Sequence, residues 1–576
     1  MAFRRKRKFH GNQHTTPKKP AMEMSRSEAK LRDVSYDVGP SSSGSASSKL
    51  EGYRFIDMDV LAAFLGASLV CARCHGQVSL SEAEDERMGL ASKLVLTCQR
   101  CQHEENTFTS KKIQRGALDV NRRVVLAMRM IGCGLEPLQR FCGYMNMPGS
   151  MGEHPFQNHV TALRNAAKEE AVESMKKAVD DIRHFHEENV DGTISIGVSG
   201  DGTWRKRGYS SFHGVGTVIS IVSGKLVDLS VKSSYCRACA VCKKKEGTEE
   251  YKEWLTKHSP DCHKNYSGSS GGMEVSSMID IFQRSVATRN AKYTEYLGDG
   301  DSKTIKGIND AAPYGPDLLV EKLECINHVS KRLYHRLEKV KADNKGKKLS
   351  DGKGIDEKGR LSLKVMKELQ MYFGKAIKDN QADLEAMKKA IWATYYHRSS
   401  TDEKPQHHFC PDGEDTWCKY NKDASTYTHH DVIPHPISDL IKPAYEELTK
   451  DELLKKCLHG GTSNANEGFN NLLWRIAPKS EFSGLPTLEL SSYLAVLKFN
   501  DGESSVARVL ARGGGGEIGK FSMVTARKKD ERRVKASKYK EREEVKRKRL
   551  QLRKDRSSKM KKQVTKEGPE YGAGMF

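Results

Sequence analysis

The sequence lacks any hydrophobic run long enough to cross a membrane. Its longest nearly unbroken apolar stretch, Val60 to Ala72, is well short of the roughly 20 residues that a helical span requires. No N-terminal apolar stretch has the form of a secretory signal peptide. Hydrophobic residues supply only 37% of the 576 positions, and aromatic residues 7%. We therefore expect no membrane partner and some segments that stay unfolded.

Acidic residues are also few in comparison with basic ones. The chain has 97 Lys and Arg but only 75 Asp and Glu, which gives a formal net charge of +22 and a pI of about 9.2. A basic excess of this size indicates a polyanionic partner, and without a membrane segment nucleic acid is favoured. Residues 527–562 hold 19 Lys or Arg against 6 Asp or Glu, more than half of the excess. The tail, residues 501–576, is predicted to be flexible or helical and to neutralise phosphates.

The first 150 residues divide into an arm and a module. Residues 1–50 are rich in Lys, Ser, Gly and Pro and are predicted to be a disordered basic arm. The run Arg4-Arg5-Lys6-Arg7-Lys8 is typical of a nuclear localisation signal and predicts a protein of the nucleus. Residues 51–150 are predicted to hold a zinc ribbon and two amphipathic helices, at 121–131 and 136–145. These helices form either a helix-turn-helix that docks in a DNA groove or an ordinary packed hairpin.

The 14 cysteines occur in close clusters with histidines among them. In a chain without a secretion signal, this pattern favours metal binding over disulfides. Two Cys-x2-Cys knuckles can supply the four thiolates of a zinc ribbon. A second cluster follows the third strand of the predicted core and has the ligand number for another structural Zn²⁺, with Cys236 as an alternative to either of its first two members. The predicted ligands are Cys71, Cys74, Cys98 and Cys101 in the first site and Cys239, Cys242, His258 and Cys262 in the second.

A third group of histidines and cysteines is weaker. It consists of His407, His408, Cys410 and Cys418. These residues either bind a metal together with Cys325 and His328 across the fold, or are buried thiols and surface histidines without a metal.

An alternating hydrophobic pattern begins at residues 193–198 and indicates a half-buried strand. Further strands are predicted at Val215–Val222, Leu226–Val231 and Tyr293–Leu297, with a helix at 275–289. Three strands, a helix, a strand and another helix are the opening order of an RNase H-like domain. The predicted fold is therefore α/β (α+β), with an RNase H-like core over 151–500. A long helix at 155–188, a Cys-rich insert at 236–263 and a large helical insertion at 305–460 lie within this core.

Three acidic residues stand out because of where the predicted elements place them. Asp201 lies just past the end of the first strand, and Asp299 lies just past the later strand. Glu467 opens a helix predicted at 465–476. Neighbouring strand ends and a helix packed across them can bring three carboxylates to one point. Oxygen ligands of this kind suit Mg²⁺ or Mn²⁺, and two such ions support phosphodiester chemistry on nucleic acid.

Two points about these acids stay open on the residues alone. Asp301 shares a loop with Asp299 and is the alternative to it. Each acid taken singly is also typical of a turn or a helix cap, especially in an Asp-Gly step. Asn464 and Asn466 are possible caps of the helix that carries Glu467.

The three acidic motifs together resemble the DDE catalytic core of Mutator-like transposases of animal genomes. The motifs are Ser-Gly-Asp-Gly-Thr-Trp at 199–204, Gly-Asp-Gly-Asp-Ser-Lys at 298–303 and Asn-x-Asn-Glu-x-x-Asn at 464–470. The Cys-x2-His pair of Cys325 and His328 also resembles this family. The resemblance runs through most of 120–480.

The resemblance implies a metal-dependent transposase that recognises terminal inverted repeats and joins 3′-hydroxyl ends to target DNA. It implies DNA as the partner, and a homo-oligomer is expected in the DNA complex. The alternatives are a domesticated, transposase-derived DNA-binding protein without catalytic activity and a structure-specific nuclease on the same core.

Overall fold

The computed structural model describes most of the chain. The described residues are 25–36, 51–206, 211–242, 247–298, 302–357, 359–413, 416–513, 516–542, 544–545, 547–549 and 551–552. None of the helices in this part combines the length and the apolar character that a bilayer span needs.

The described residues form eight strands and nineteen helices. The strands are β1 (Val78–Glu82), β2 (Lys93–Cys98), β3 (Glu104–Phe108), β4 (Ile194–Trp204), β5 (His213–Ser220), β6 (Leu226–Ser233), β7 (Ala291–Gly298) and β8 (Glu321–Glu324). The first ten helices are α1 (Arg26–Leu31), α2 (Met58–Ser68), α3 (Asp119–Met130), α4 (Leu135–Tyr144), α5 (Glu153–Asp180), α6 (Arg237–Cys242), α7 (Glu249–His258), α8 (Gly272–Arg289), α9 (Ser302–Asp310) and α10 (Ile326–Asp343). The others are α11 (Leu363–Asp379), α12 (Leu384–Ser399), α13 (Lys419–Lys422), α14 (His435–Leu448), α15 (Asp451–Lys455), α16 (Asn464–Ile476), α17 (Leu485–Asn500), α18 (Glu503–Arg512) and α19 (Lys520–Glu541).

A five-stranded mixed sheet lies at the centre of the fold. Its strand order is β6-β5-β4-β7-β8. The pairs β4–β5 and β5–β6 are antiparallel, whereas β4–β7 and β7–β8 are parallel. Helices cover both faces, and β5 and β6 are accordingly buried along their whole length.

Each face of this sheet has its own hydrophobic cluster. On one face, Val215 and Ile219 pack with residues of α16 and α17, such as Phe469 and Leu494. On the other face, Val218 packs with Phe282 and other residues of α8. Helix α5 contributes to both clusters, as its apolar residues continue along its whole length.

The helical insertion has a separate core. Helices α10, α11, α12, α14 and α15 pack around one cluster that includes Phe373, Ile391 and Tyr445. Side-chain caps define some of its helix starts, since Ser362 accepts from Val365 N–H and Asp383 accepts from Ala386 N–H. The prediction that residues 305–460 are mostly helical is correct for the described residues.

The N-terminal module contains a separate antiparallel sheet of order β1-β2-β3. The hairpin β1–β2 pairs Val78 with Cys98, which brings the second knuckle next to the chain that leaves the first. Helices α3 and α4 follow, and both bury apolar residues such as Leu126 and Leu138 in the cluster that α5 shares. Both helices are therefore packed against the core, which is compatible with a helix-turn-helix and with an ordinary packed hairpin. Docking of the pair in a DNA groove stays a prediction.

Two expectations about local structure were wrong, and one strand was missed. Asp201 lies inside β4 rather than past its end, because the glycines on either side of it do not form a turn. At Gly200, a Cβ atom would collide with the ring of Tyr296, and at Gly202 it would meet the carboxylate of Glu274. These glycines therefore allow close packing within a strand. The short strand β8 was not predicted, and α16 is preceded by Ser463 instead of being capped by Asn464 or Asn466.

The two ends of the chain are more ordered than expected. Within the arm predicted to be disordered, residues 26–31 form α1, which has a capping box between Ser25 and Glu28. At the other end, α18 buries Val506 and Val509 in the shared core, although residues from 501 onward were predicted to be a tail. Of the two predictions for the tail, a flexible arm or a charged helix, α19 confirms the helix for Lys520–Glu541. Residues 1–24 and 553–576 lie outside the described part.

Candidate active site and metal centres

A ladder of side-chain hydrogen bonds joins α16 to β4. Asn466 Nδ2 donates to the Ser199 carbonyl at 3.0 Å, and the Ser199 hydroxyl donates back to Asn466 Oδ1 at 2.7 Å. One helical turn later, Asn470 Nδ2 donates to Asp201 Oδ2 at 2.7 Å. Two turns later, Trp474 Nε1 donates to Thr203 Oγ1 at 2.8 Å.

The ladder has a simple geometric basis. Four residues of helix and two residues of strand both advance the chain by about 6–7 Å, so the two repeats stay in step. Asn466, Asn470 and Trp474 are spaced by four, and their partners in β4 are spaced by two. The sequence motifs that carry Asp201 and Glu467 are therefore held side by side.

Glu467 lies on the flank of this contact. It is exposed in the first turn of α16, between Asn466 and Asn470 in sequence. Asn464 precedes Glu467 by three residues and therefore lies on the same face of α16. Asn464 Oδ1 accepts a hydrogen bond of 3.1 Å from Asn327 Nδ2 of α10. Glu467 therefore shares the side of α16 that contacts the start of α10.

The remaining acid of the predicted set follows β7. Strand β7 ends at Gly298 and runs parallel to β4, with Leu297 paired to Ser199. The ring of Tyr296 lies where a Cβ atom at Gly200 or at Gly298 would stand. Asp299 and its alternative Asp301 come next in the sequence, and both lie outside the described residues.

The Cys-x2-His pair lies at the start of α10. Cys325 is fully buried and its Sγ accepts a hydrogen bond of 3.5 Å from Ser463 N–H, directly before α16. His328 lies in the first turn of α10. Cys325 therefore ties the beginning of α10 to the beginning of the helix that carries Glu467. The alternative in which this pair shares a metal with the group around His407 is not supported, because neither Cys325 nor His328 belongs to a metal-capable group among the described residues.

The four cysteines of the N-terminal knuckles form one group. Sγ atoms of Cys71 and Cys101 are 3.7 Å apart, and those of Cys74 and Cys98 are 3.4 Å apart. Backbone N–H groups of Cys101 and Arg100 donate to Cys98 Sγ and lower the pKa of this thiol to about 6. Edges of about 3.7 Å are expected when four thiolates surround one zinc at about 2.3 Å. This group can hold a zinc ion.

The second cluster also forms, with one change of ligand. Cys236 Sγ lies 3.3 Å from His258 Nε2, and Cys239 Sγ lies 3.5 Å from Cys262 Sγ. Cys242 was predicted as a ligand but does not belong to the group, in which Cys236 takes its place. Cys239 and Cys242 lie on the short helix α6, while Cys236 lies directly before it and turns toward His258. The resulting Cys3His group can hold a second zinc.

Comparison with known protein families identifies the family of this chain. A family model described as Mutator-like transposase matches residues 52–418, more than half of the chain. The chain belongs to the Mutator-like transposase family. The match includes the N-terminal knuckles, the Cys3His group and Asp201, whereas α16 with Glu467 lies beyond it. No curated protein matches the chain.

The third group of this Mutator-like transposase differs from its prediction. His397, His407, Cys410 and Cys418 lie together. His408 is exposed and stands outside the group. His397 was missed by sequence reasoning because it lies at the end of α12, ten residues before His407, and no short motif links it to the others.

Proposed function

We propose that this family member is a DDE transposase, with Asp201, Asp299 and Glu467 as the carboxylates of its active site. The ladder between α16 and β4 carries the proposal. It is built from two of the three acidic motifs and fixes Asp201 by a hydrogen bond to Asn470. An acid inside a central strand, beside a helix that bears a second acid, is the arrangement that convergent carboxylates require.

The strand order of the central sheet supports an RNase H-like core. Three antiparallel strands, β4 to β6, come first in the chain, and the parallel strands β7 and β8 are added on the other side of β4. Helix α8 connects β6 to β7, which is the order that the sequence predicted. In this arrangement β4 and β7 are neighbours, and the C-terminal end of β7 lies beside Ser199, two residues before Asp201.

The donor set suits two Mg²⁺ or Mn²⁺, because carboxylates are hard oxygen ligands. When bound, two such ions activate the attacking hydroxyl and stabilise the leaving oxygen of a phosphodiester. The chain itself supplies the positioning: the ladder holds Asp201, and Ser463 and Cys325 fix the start of α16.

DNA is the proposed partner, both as element ends and as target. Helix α19 carries Arg527, Lys528 and many further basic residues on its exposed surface. Near the end of β4, a small cavity of about 160 Å³ is lined by cationic and aromatic side chains, among them Arg205, His213 and Phe482. Cations beside an exposed ring suit an unstacked base and its phosphate. The proposal includes zinc at the two Cys-rich groups, a homo-oligomer on DNA and a nuclear location, for which Arg4–Lys8 is the sequence signal.

Strand transfer by the purified full-length chain tests this function. The substrate is an oligonucleotide that carries the inverted repeats flanking the gene, in Mg²⁺ or Mn²⁺. Asp201→Asn, Asp299→Asn and Glu467→Gln are each expected to lower the rate by about 1000-fold or more and to leave DNA binding intact, because each keeps its shape but loses a metal-binding charge. Full activity of Asp201→Asn would contradict this mechanism.

Asp301→Asn is the matched control, since it removes a carboxylate two residues from Asp299. Most activity is expected to remain in this variant. If Asp301→Asn lost its activity while Asp299→Asn kept it, the proposed metal ligand would be Asp301 instead of Asp299. The rest of the mechanism would be unchanged. A wild-type chain that binds the ends but neither cuts nor joins them would instead indicate the domesticated DNA-binding protein.

A salt titration tests the contribution of the tail to DNA binding. Each phosphate contact releases counterions, so affinity falls steeply with salt. Deletion of 527–562 is expected to flatten the slope of log affinity against log salt. An unchanged slope would show that the tail does not touch phosphate.

A further inference from the structure

The segment between α12 and α14 has little regular structure. From Ser400 to Pro434, the described residues contain only the four-residue helix α13. A segment of this length without secondary structure is uncommon inside a compact domain and needs another source of order. Part of it is nevertheless buried, as Cys410 and Cys418 are about 1% and 0% exposed.

Four side chains converge at the base of this segment. The His397 and His407 Nδ1 atoms are 3.2 Å apart. Cys410 Sγ lies 3.6 Å from His397 Nδ1 and 3.7 Å from His407 Nδ1. Cys418 Sγ lies 3.8 Å and 3.4 Å from the same two nitrogens.

These separations match the edges of one coordination tetrahedron. With zinc–sulfur bonds of about 2.3 Å and zinc–nitrogen bonds of about 2.05 Å, a tetrahedral site has nitrogen–sulfur edges of about 3.6 Å and a nitrogen–nitrogen edge of about 3.3 Å. The four nitrogen–sulfur distances lie between 3.4 and 3.8 Å. Ordinary hydrogen bonding does not require two imidazoles to direct the same nitrogen, Nδ1, at the same two thiols.

The outer nitrogen of His407 is held as well. Its Nε2 lies 2.9 Å from the Ser400 hydroxyl and 2.8 Å from Nε2 of His429. Nδ1 of His429 lies 2.5 Å from Asp402 Oδ1. Support of a ligand imidazole through its second nitrogen fixes the ring and its tautomer, which is common around protein-bound zinc.

Aromatic residues close the group from outside. Tyr420 stacks on the His407 ring at 4.2 Å between centroids, and Trp417 meets the His397 ring edge-on at 5.0 Å. Phe409 packs against the small cluster that contains both thiols. An apolar shell of this kind excludes water, so the four ligands leave no open position for a substrate.

We propose that His397, His407, Cys410 and Cys418 bind one structural Zn²⁺, which fastens the 400–434 segment to the end of α12. A closed Cys2His2 set of mixed thiolates and imidazoles is typical of structural zinc rather than of Mg²⁺ or Mn²⁺. The site lies in the helical insertion and contributes nothing to the carboxylates of the proposed active site.

Zinc content measured on the full-length chain tests the site. Cys410→Ser is expected to contain one zinc per chain fewer than the wild type. Cys410→His keeps a ligand at this position and is expected to retain the wild-type content. His408→Gln is the matched control, because His408 is exposed beside His407 and stands outside the group. Equal zinc content in the wild type and in soluble Cys410→Ser would overturn the proposal.

A second measurement on the wild-type chain covers the case in which the serine variant fails to fold. Removal of zinc by a chelator is expected to expose Cys410 and Cys418 to alkylation and to open 400–434 to proteolysis. Cys457 is an internal reference, since it is buried in the same insertion and belongs to none of the metal groups. Alkylation of Cys410 and Cys418 that does not change with chelator, or that changes only as much as Cys457, would contradict the site.

Discussion

Every residue of β5 and β6 is buried, whereas no residue of β1 or β3 is. Between residues 51 and 109 the only buried residues are Cys71, Ala91 and Cys98, and two of these are proposed zinc ligands. The five-stranded sheet has helices on both faces, whereas α2 packs against β1 of the three-stranded sheet. We therefore expect the two sheets to be stabilised by different means.

The difference follows from the amount of apolar surface each region can remove from water. A small sheet without a covering layer buries little apolar surface to offset the conformational entropy of its chain, so we expect the proposed zinc to supply much of its folding free energy. The central sheet packs against two large hydrophobic clusters, so we expect its stability to come from burial.

Loss of zinc is expected to have the largest effect, and only on the N-terminal module. Cys98→Ser removes a ligand and with it much of the metal-linked folding energy, which is about 10–16 kcal/mol for structural zinc in small domains. Amide protection of 78–108 should be lost while that of 213–233 is unchanged in hydrogen exchange. Cys133→Ser is the control, since Cys133 stands outside the metal groups. Retained protection of 78–108 in zinc-free protein would show that the module is stable through burial after all.

A core truncation should show the opposite pattern. Phe282 is fully buried and packs edge-on against Tyr293 and Tyr296, with centroids 5.4 and 6.0 Å away. Phe282→Ala is expected to lower the free energy of unfolding by about 3–5 kcal/mol. This loss in the free energy of unfolding should be the same with and without chelator. Denaturant unfolding monitored by hydrogen exchange of β5 and β6 measures it.

Phe482→Ala is the matched control, because this ring is 60% exposed. It should change the free energy of unfolding of the central sheet little. A chelator-dependent loss in Phe282→Ala would break the distinction between the two sheets.

The hydrogen-bond ladder between α16 and β4 makes a smaller, polar contribution to the stability of the apolar region. Asn466 is fully buried and exchanges two hydrogen bonds with Ser199. Asn466→Ala leaves the buried Ser199 hydroxyl and carbonyl without this partner, at an expected cost of about 1–3 kcal/mol. Because the same contact positions α16, the variant should also transfer strands more slowly while it binds DNA normally. Wild-type activity in a destabilised variant would show that the ladder has a structural role only.

The sequence predicted the parts of this fold that rest on periodicity. Alternation and helical spacing identified β5, β6, β7, α8 and α16 to within a few residues. These elements could be predicted because each buries one face against the core, which gives its hydrophobic residues a regular spacing in the sequence.

Features that depend on tertiary neighbours could not be read in this way. The Asp-Gly step at Asp201 is also typical of a turn, but Gly200 and Gly202 give space to Tyr296 and Glu274, which are distant in sequence. Likewise His397 joins His407 only because α12 ends there, and spacing alone could not choose between Cys236 and Cys242. The position of Asp201 and two sets of metal ligands thus required the three-dimensional structure.

The smallest expected effect concerns α1, a segment that depends on neither a metal nor a large core. Two polar contacts join residues 25–36 to α19: the Tyr36 hydroxyl donates to Asp530 Oδ2 at 3.1 Å, and Lys538 pairs with Glu28 at 2.7 Å. Tyr36→Phe removes one hydrogen bond, while Asp530 keeps the backbone N–H of Glu503 at 2.9 Å. We expect a loss of about 1 kcal/mol that is local to residues 25–36, because α1 can open while α19 stays folded. Hydrogen exchange should therefore rise about fivefold in 25–36 and stay constant in 78–108 and 213–233. A global loss of stability would instead mean that the arm is part of the core.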